Sequence, residues 1–379
     1  MAYTKTLLAT LAVSALLVAV AVAGWPSLAV AASTYTIARI PSQFDPVWGG
    51  SRALGVSDNG VVVGYGWDAY HNGEALRWSN GVSTDLPDFL LPPSPYVRSR
   101  ANKVSLNGMI AGYSYVDAYG AHAAVWKNGN IIDLGSSGSQ AFSQLVDINN
   151  NGMACGSDGS APYVWTEANG KKYLGILPFP GNSSYTAEAY GINNNGVVAG
   201  RMKMWVDSHA AIWDPVSGWL VIDAEGNESM ANAINDNNVA VVQKTGQNSQ
   251  YHACVWSALD GLRQMADLNA SQSLPYAINN DGVIVGEAAV PASGEYAVVW
   301  DDTDITHCYK LQDLVEGLAG SGWTQLYAAY DVNENGQIVG YGLYNNRETG
   351  FLLTPTPEPA TLSLLALGGL AVLRRRGRK

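Results

Sequence analysis

Ala53-Leu54-Gly55-Val56-Ser57-Asp58-Asn59-Gly60-Val61-Val62-Val63-Gly64 is the stretch whose reading decides the fold. The phrase returns as Val104-Ser105-Leu106-Asn107-Gly108, Ile148-Asn149-Asn150-Asn151-Gly152 and Ile192-Asn193-Asn194-Asn195-Gly196. It continues as Ile234-Asn235-Asp236-Asn237-Asn238, Ile278-Asn279-Asn280-Asp281-Gly282 and Val332-Asn333-Glu334-Asn335-Gly336. The turn position steps through 60, 108, 152, 196, 238, 282 and 336, so seven copies recur every 42 to 54 residues. In the fifth copy Asn238 replaces the turn glycine and Val242 the closing one. Asn-Gly or Asp-Gly between β-branched runs signals a hairpin, and a type I′ turn is expected because both of its central residues need positive φ.

A second phrase follows each turn and ends in tryptophan six times, at Trp78, Trp126, Trp165, Trp213, Trp256 and Trp300. Its fullest forms begin at His122, His209 and His252. Asp-Leu pairs such as Asp133-Leu134, Asp267-Leu268 and Asp313-Leu314 close several copies. The two arms of the hairpin, the tryptophan phrase and the Asp-Leu segment make four short strands per copy, which is one propeller blade. Stacking blades in a ring buries faces that no blade can cover alone, and no helical periodicity persists between the turns. The fold class expected is all-β, a seven-bladed β-propeller. Its seventh copy has three strands, near 327–333, 337–341 and 350–354, with Phe351 in the tryptophan place. The orphan strand at 34–41 is expected to supply the fourth and close the ring.

The pattern Ile/Val-Asn-x-Asn/Asp-Gly-x-Val-Val-Gly, then His-Ala-x-x-Trp and Asp-Leu, resembles the HAF-repeat family of extracellular proteins. The resemblance covers nearly the whole chain between its ends and implies no catalytic residues.

Both ends read as addresses. Lys5, the apolar stretch 7–23 and small residues through Ala29-Val30-Ala31-Ala32 form a secretory signal over 1–32. At the other end Pro357-Glu358-Pro359 precedes an apolar run from Leu362 to Leu373 and the basic cluster Arg374, Arg375, Arg376, Arg378 and Lys379. That run of 12 residues spans about 18 Å as helix, short of a hydrocarbon core of about 30 Å. It suits a transient stop, with the basic end held on the cytoplasmic side. The three-part order resembles the PEP-CTERM sorting signal of Gram-negative bacteria. The resemblance implies an exosortase as partner, acting at Pro357, Glu358 and Pro359, and a final place in the envelope or outside the cell. The domains expected are 1–32 signal, 33–355 propeller and 356–379 sorting tail.

Six of the 21 basic residues lie in these terminal segments, and none of the 32 acidic ones precedes Ser33 or follows Pro359. Between Ser33 and Pro359, fifteen basic residues thus face 32 acidic ones, a charge near −17. That charge argues against nucleic acid and anionic membrane as partners of the body, which reads as a soluble monomer. Cys155, Cys254 and Cys308 allow at most one internal disulfide, and the first two sit in apolar runs as small core residues.

The histidines carry no visible chemistry. His122, His209 and His252 share one repeat position, which marks packing or hydrogen bonding, and His71 and His307 lie in loops without a telling partner. No cofactor is expected. Calcium is the alternative, because Asp147 and Asp331 open runs resembling a calcium loop, but the acid at its twelfth position is missing. The candidate ligand surface is a loop face carrying Trp67, Asp68, Tyr70, Tyr96, Tyr115, Asp117 and Tyr119. Aromatic faces beside carboxylates can hold sugar rings, and PEP-CTERM tails are associated with exopolysaccharide producers. The same aromatics can also pack blade against blade. The function expected is therefore a non-enzymatic envelope or biofilm-matrix protein that binds carbohydrate or serves structurally. A polysaccharide lyase or hydrolase is the alternative.

Overall fold

The computed structural model describes residues 34–43, 49–70, 73–89, 99–117, 120–137, 142–176, 186–203, 207–224, 228–246 and 249–356. They form seven four-stranded antiparallel sheets, the blades of a propeller. Blade 1 consists of Gly50–Val56, Val62–Trp67, Gly73–Ser79 and Val82–Asp85. Blades 2 to 6 repeat that order, opening at Ser99–Val104, Ser143–Ile148, Thr186–Ile192, Ser229–Ile234 and Gln272–Ile278. Blade 7 takes Trp323–Val332, Ile338–Tyr344 and Arg347–Pro355 from the end of the chain and Tyr35–Ile40 from its start. The latter pairs antiparallel with the former's last strand from Tyr35↔Pro355 to Ile40↔Gly350. The first strands of neighbouring blades touch all the way round and line the axis.

The core divides by interface. Seven apolar clusters each join one blade to the next. The third-strand aromatic, Trp126 or Phe351 for example, packs back onto the preceding blade. The closing strand serves two interfaces, with Tyr35 in the cluster between blades 6 and 7 and Ile40 in the one between blades 7 and 1. Cys155 and Cys254 are buried in these clusters, and all three thiols are free.

Each innermost strand carries a β-bulge, between Ala53 and Gly55 in blade 1 and at the matching place in the other six. The bulge explains the closing glycine of the repeat. A Cβ on Gly64 would lie 2.0 Å from the Arg52 carbonyl oxygen, and one on Gly200 2.0 Å from that of Glu188. Nothing in the structure explains how Val242 fills the same place in blade 5.

Two local expectations need correction. The Asn-Gly turn between first and second strands is not type I′. Gly60 N–H donates to Ser57 O and Ser57 N–H to Val61 O, and within that turn only Gly60 has positive φ, at 76°. This is a type I turn ended by a left-handed residue, a place Asn238 fills at φ 59° in blade 5. Type I′ geometry occurs instead at Asn80-Gly81 and Asn128-Gly129, between third and fourth strands, and at Asn345-Asn346. The Asp-Leu phrase is also not the fourth strand itself. It ends that strand at Asp133 in blade 2, follows it in blade 5, and lies in a 3-10 turn, Leu311–Leu314, in blade 6.

Candidate functional site

The two ends of the axis differ. At the turn end the Asn-x-Asn-Gly phrases are joined into a belt. The Asn149 side-chain N–H donates to Asn193 O, and the pattern continues from Asn193 to Asn235, Asn235 to Asn279, Asn279 to Asn333 and Asn333 to Ser57, at 2.8–3.0 Å. The same side chains hold their own turns, since Asn193 Oδ1 accepts from Asn195 N and Val197 N. A second row uses the middle residue of the phrase. Asn150 N–H donates to Asn194, Asn194 to Asp236, Asp236 to Asn280, Asn280 to Glu334 and Glu334 to Asp58, each through the next blade's side-chain oxygen. The first row is broken between blades 1, 2 and 3. Ser57 and Ser105 stand there in place of asparagine, and their hydroxyls turn back into their own hairpins.

Inside this belt the axial channel holds a cavity of about 130 Å³ lined by Lys103, Asp147 and Asp331 among others. Asp331 accepts from Val56 N–H of the next blade and from Lys103, and Asp147 accepts from Ile148 N–H and from Ile192 N–H of the next blade. Burial pushes the Asp331 carboxyl above its ordinary range, with Lys103 opposing. The two aspartates that suggested calcium thus serve inter-blade hydrogen bonds. Among the described residues no group of three His, Cys, Asp or Glu is placed to hold a metal.

The opposite rim is aromatic and charged. Five of its tyrosines come from the two inner strands: Tyr65, Tyr113 and Tyr341 follow the closing glycine, and Tyr276 and Tyr330 sit at the bulge. Tyr276 lies 5.3 Å from Tyr330, which stacks on Tyr341 at 5.8 Å with 9° between planes. The Arg52 guanidinium sits 4.0 Å over Tyr341 and is ion-paired with Glu348 at 2.8 Å. Arg52 pairs across strands with Tyr65, over which Arg100 lies at 5.3 Å. Arg100 pairs across strands with Tyr113, and Tyr113 packs on Tyr115 at 6.0 Å and on Phe142 at 5.1 Å. The result is a half-buried arc from blade 6 through blades 7, 1 and 2 to the edge of blade 3.

Burial, reinforced by Glu287, holds the Tyr276 phenol well above its ordinary value; burial raises Tyr330 too, with Arg52 opposing. Burial also raises Glu287, against its hydrogen bond with Tyr276, and Glu295 adds to the rise while Arg52 counters it. At neutral pH these phenols are hydrogen-bond donors with apolar faces, not bases.

The expected ligand surface lies partly on this rim. Trp67 is half-buried, 5.4 Å from Tyr65, and Tyr115 belongs to the arc. Asp68 and Asp117 fold their own loops, accepting from Tyr70 N–H and Gly120 N–H. Tyr70 is 82% exposed. Tyr96 and Tyr119 lie outside the described residues, as does the tail with Pro357, Glu358, Pro359, Arg374, Arg375 and Arg376. Arg52, Arg100, Tyr276, Tyr330, Tyr341 and Glu287 were not anticipated. The repeat held one clue to them: the residue after the closing glycine is Tyr65, Tyr113 and Tyr341 in three copies. Each shared histidine faces an aspartate at or just after the end of its blade's fourth strand. His122 Nδ1 is 2.8 Å from Asp133, His252 Nδ1 3.3 Å from Asp267, and His209 Nδ1 3.0 Å from the Asp223 carbonyl oxygen.

Residues 355–379 match the PEP-CTERM protein-sorting motif. The motif implies an exported chain, processed by an exosortase and anchored transiently in the membrane through its C-terminal end. Among the described residues no helix is long and apolar enough to cross a membrane. No curated protein matches the chain. Similar solved structures include a prolyl endopeptidase, 11% identical over 86% of this chain and 51% of that one, with a TM-score of 0.48. TolB from Acinetobacter baumannii is 10% identical over 82% and 80%, with a TM-score of 0.43. YCF48 bound to a D1 peptide is 11% identical over 87% and 98%, with a TM-score of 0.49. The chain spans about half the length of the endopeptidase. At such identities and scores these likenesses carry no argument about activity.

Proposed function

We propose that this chain is a non-enzymatic repeat protein of a Gram-negative envelope or biofilm matrix, of the HAF-repeat kind, and that its aromatic rim binds exopolysaccharide. The observation that carries the reading is the arc of Tyr276, Tyr330, Tyr341, Tyr65 and Tyr113, interleaved with Arg52 and Arg100. Phenol rings offer flat apolar faces to the C–H side of a pyranose, while hydroxyl, guanidinium and carboxylate groups between them bond its hydroxyls.

A glycan array on the purified protein, run beside a depolymerisation assay, tests both halves. Carbohydrate capture without chain cleavage is expected. Cleavage of any captured polysaccharide would overturn the non-enzymatic half, and an array without a single carbohydrate would overturn the binding half.

A further inference from the structure

Blades 7 and 1 place the same machinery at the rim with one difference. In each case an arginine from the next blade's first strand lies over the second-strand tyrosine: Arg52 over Tyr341 at 4.0 Å, and Arg100 over Tyr65 at 5.3 Å. Arg52 is neutralised, because its Nε and Nη2 both donate to Glu348 Oε2, at 3.2 and 2.8 Å. Glu348 stands opposite Leu343, two residues beyond Tyr341. The same register in blade 1 runs two residues beyond Tyr65 to Trp67, and the residue opposite is Gly73. The carboxylate that occupies Arg52 therefore has no counterpart at Arg100.

The consequence is visible at the guanidinium. Arg100 Nε is buried and has no hydrogen-bond partner among the described residues. This is the group whose counterpart in Arg52 points at Glu348. No ion pair joins Arg100 to a carboxylate among the described residues. Arg100 is instead walled by aromatic rings, with Tyr65 beneath it, Trp67 5.4 Å from Tyr65, and Tyr113 as its cross-strand partner. The guanidinium also hydrogen-bonds the Tyr113 side chain, but a buried Nε–H without an acceptor is costly unless something supplies one.

We infer that Arg100 receives the carboxylate of a uronic acid, with the sugar ring laid on the aromatic wall of Trp67, Tyr65 and Tyr113, so that the ligand supplies what Glu348 supplies to Arg52. This rests on the rim being the carbohydrate site and narrows that site to acidic polysaccharide. A planar guanidinium beside aromatic faces matches a planar carboxylate on a pyranose, and a lysine would not give the same two-point geometry. The chain's net charge of −11 opposes a polyanion at long range, so recognition is local. At physiological salt, where fields fade within about 8 Å, short oligouronates are the fitting probe.

The test is a calorimetric titration of the full-length chain with oligogalacturonate and with the same oligomer methyl-esterified, which keeps the sugar and removes the charge. Free acid is expected to bind about ten- to hundred-fold more tightly than ester, the range of one charge-assisted hydrogen-bonded pair. Arg100→Met should lose that margin and bind both forms alike. Equal affinity of the wild type for acid and ester overturns the inference while leaving the rim as a carbohydrate site. Undiminished preference for the acid in R100M also overturns it. Failure of the wild type to bind either oligomer, together with an empty glycan array, removes the inference and the reading beneath it. The acid-to-ester comparison needs no variant, so it decides the matter even if R100M does not fold.

Discussion

Removing the closing strand should cost nearly the whole stability of the propeller. Residues 34–40 carry Tyr35, 3% exposed, and Ile40, fully buried, and each belongs to a different interface cluster. Returning two such side chains to water costs about 3–6 kcal/mol. The strand also pairs along six register positions with Gly350 to Pro355. At ~0.5–1.5 kcal/mol for each hydrogen bond, the ladder adds roughly 3–9 kcal/mol. Further bonds tie the strand down: Ser51 Oγ donates to Ile40 O at 2.5 Å, Glu316 N–H to Tyr35 O, and Thr356 N–H to Thr34 O. A whole domain is stable by only about 5–15 kcal/mol. Deletion of Thr34 to Ile40 should therefore unfold or aggregate the protein, and Ile40→Ala alone should cost about 2–5 kcal/mol. The contrasting deletion belongs within 90–96. Pro87 and Phe89 must stay, because Pro87 O accepts from Trp126 Nε1 at 2.6 Å and Phe89 packs on the cluster between blades 1 and 2. Thermal unfolding with parallel light scattering measures both. Equal melting temperatures for the two deletions, or an Ile40→Ala protein as stable as the wild type, would refute closure by this strand.

Three further predictions follow from the belt and the bulges. Asn193→Ala removes two donated and two accepted hydrogen bonds and leaves the buried Val197 N–H without its acceptor; urea unfolding should show a loss of about 2–4 kcal/mol. Gly200→Ala sets a Cβ 2.0 Å from the Glu188 carbonyl oxygen, so about 3 kcal/mol or more is expected, and a near-neutral result would refute the steric reading of the bulge. Partial desolvation within the belt raises the Glu334 carboxyl from 4.5 to about 7, against its bond from Asn280 N–H, with Asp58, Asp236 and Asp281 adding to the rise; the side chain is exposed, so solvent screening makes the stability effect small. Its folded-state value lies above its unfolded one, so the stabilisation is complete below about pH 4.5 and is lost as pH climbs toward 7. Melting temperature should fall over that window in the wild type and run flatter in Glu334→Gln.

The ring was legible because its signals are local and periodic. Seven turn phrases, six tryptophans and a leftover strand at 34–40 give the blade count and the closure, and the paired strands follow. The second use of the asparagines was hidden, because each bonds the next blade, 42 to 54 positions away for four of them and 276 positions away for Asn333. A hairpin explanation accounts for Asn193 Oδ1 and leaves its N–H groups unassigned. The middle position of the phrase looked like turn filler and proves to be the acceptor row, with Asp236 and Glu334 serving as Asn194 does. The rim was legible only where aromatics cluster in one loop, as at Trp67 and Tyr115. Arg52 and Arg100 sit on innermost strands, in no motif, and acquire meaning from tyrosines on the preceding blade.

The most direct test of the account is where carbohydrate binds. Hydrogen–deuterium exchange of the chain, with and without the strongest oligosaccharide from the array, locates the site. The account predicts slowed exchange in the strands carrying Arg52, Tyr65, Arg100, Tyr113 and Tyr341, with the belt from Asn149 to Asn333 unchanged. Slowed exchange confined to the belt, or spread evenly over all seven blades, would contradict it.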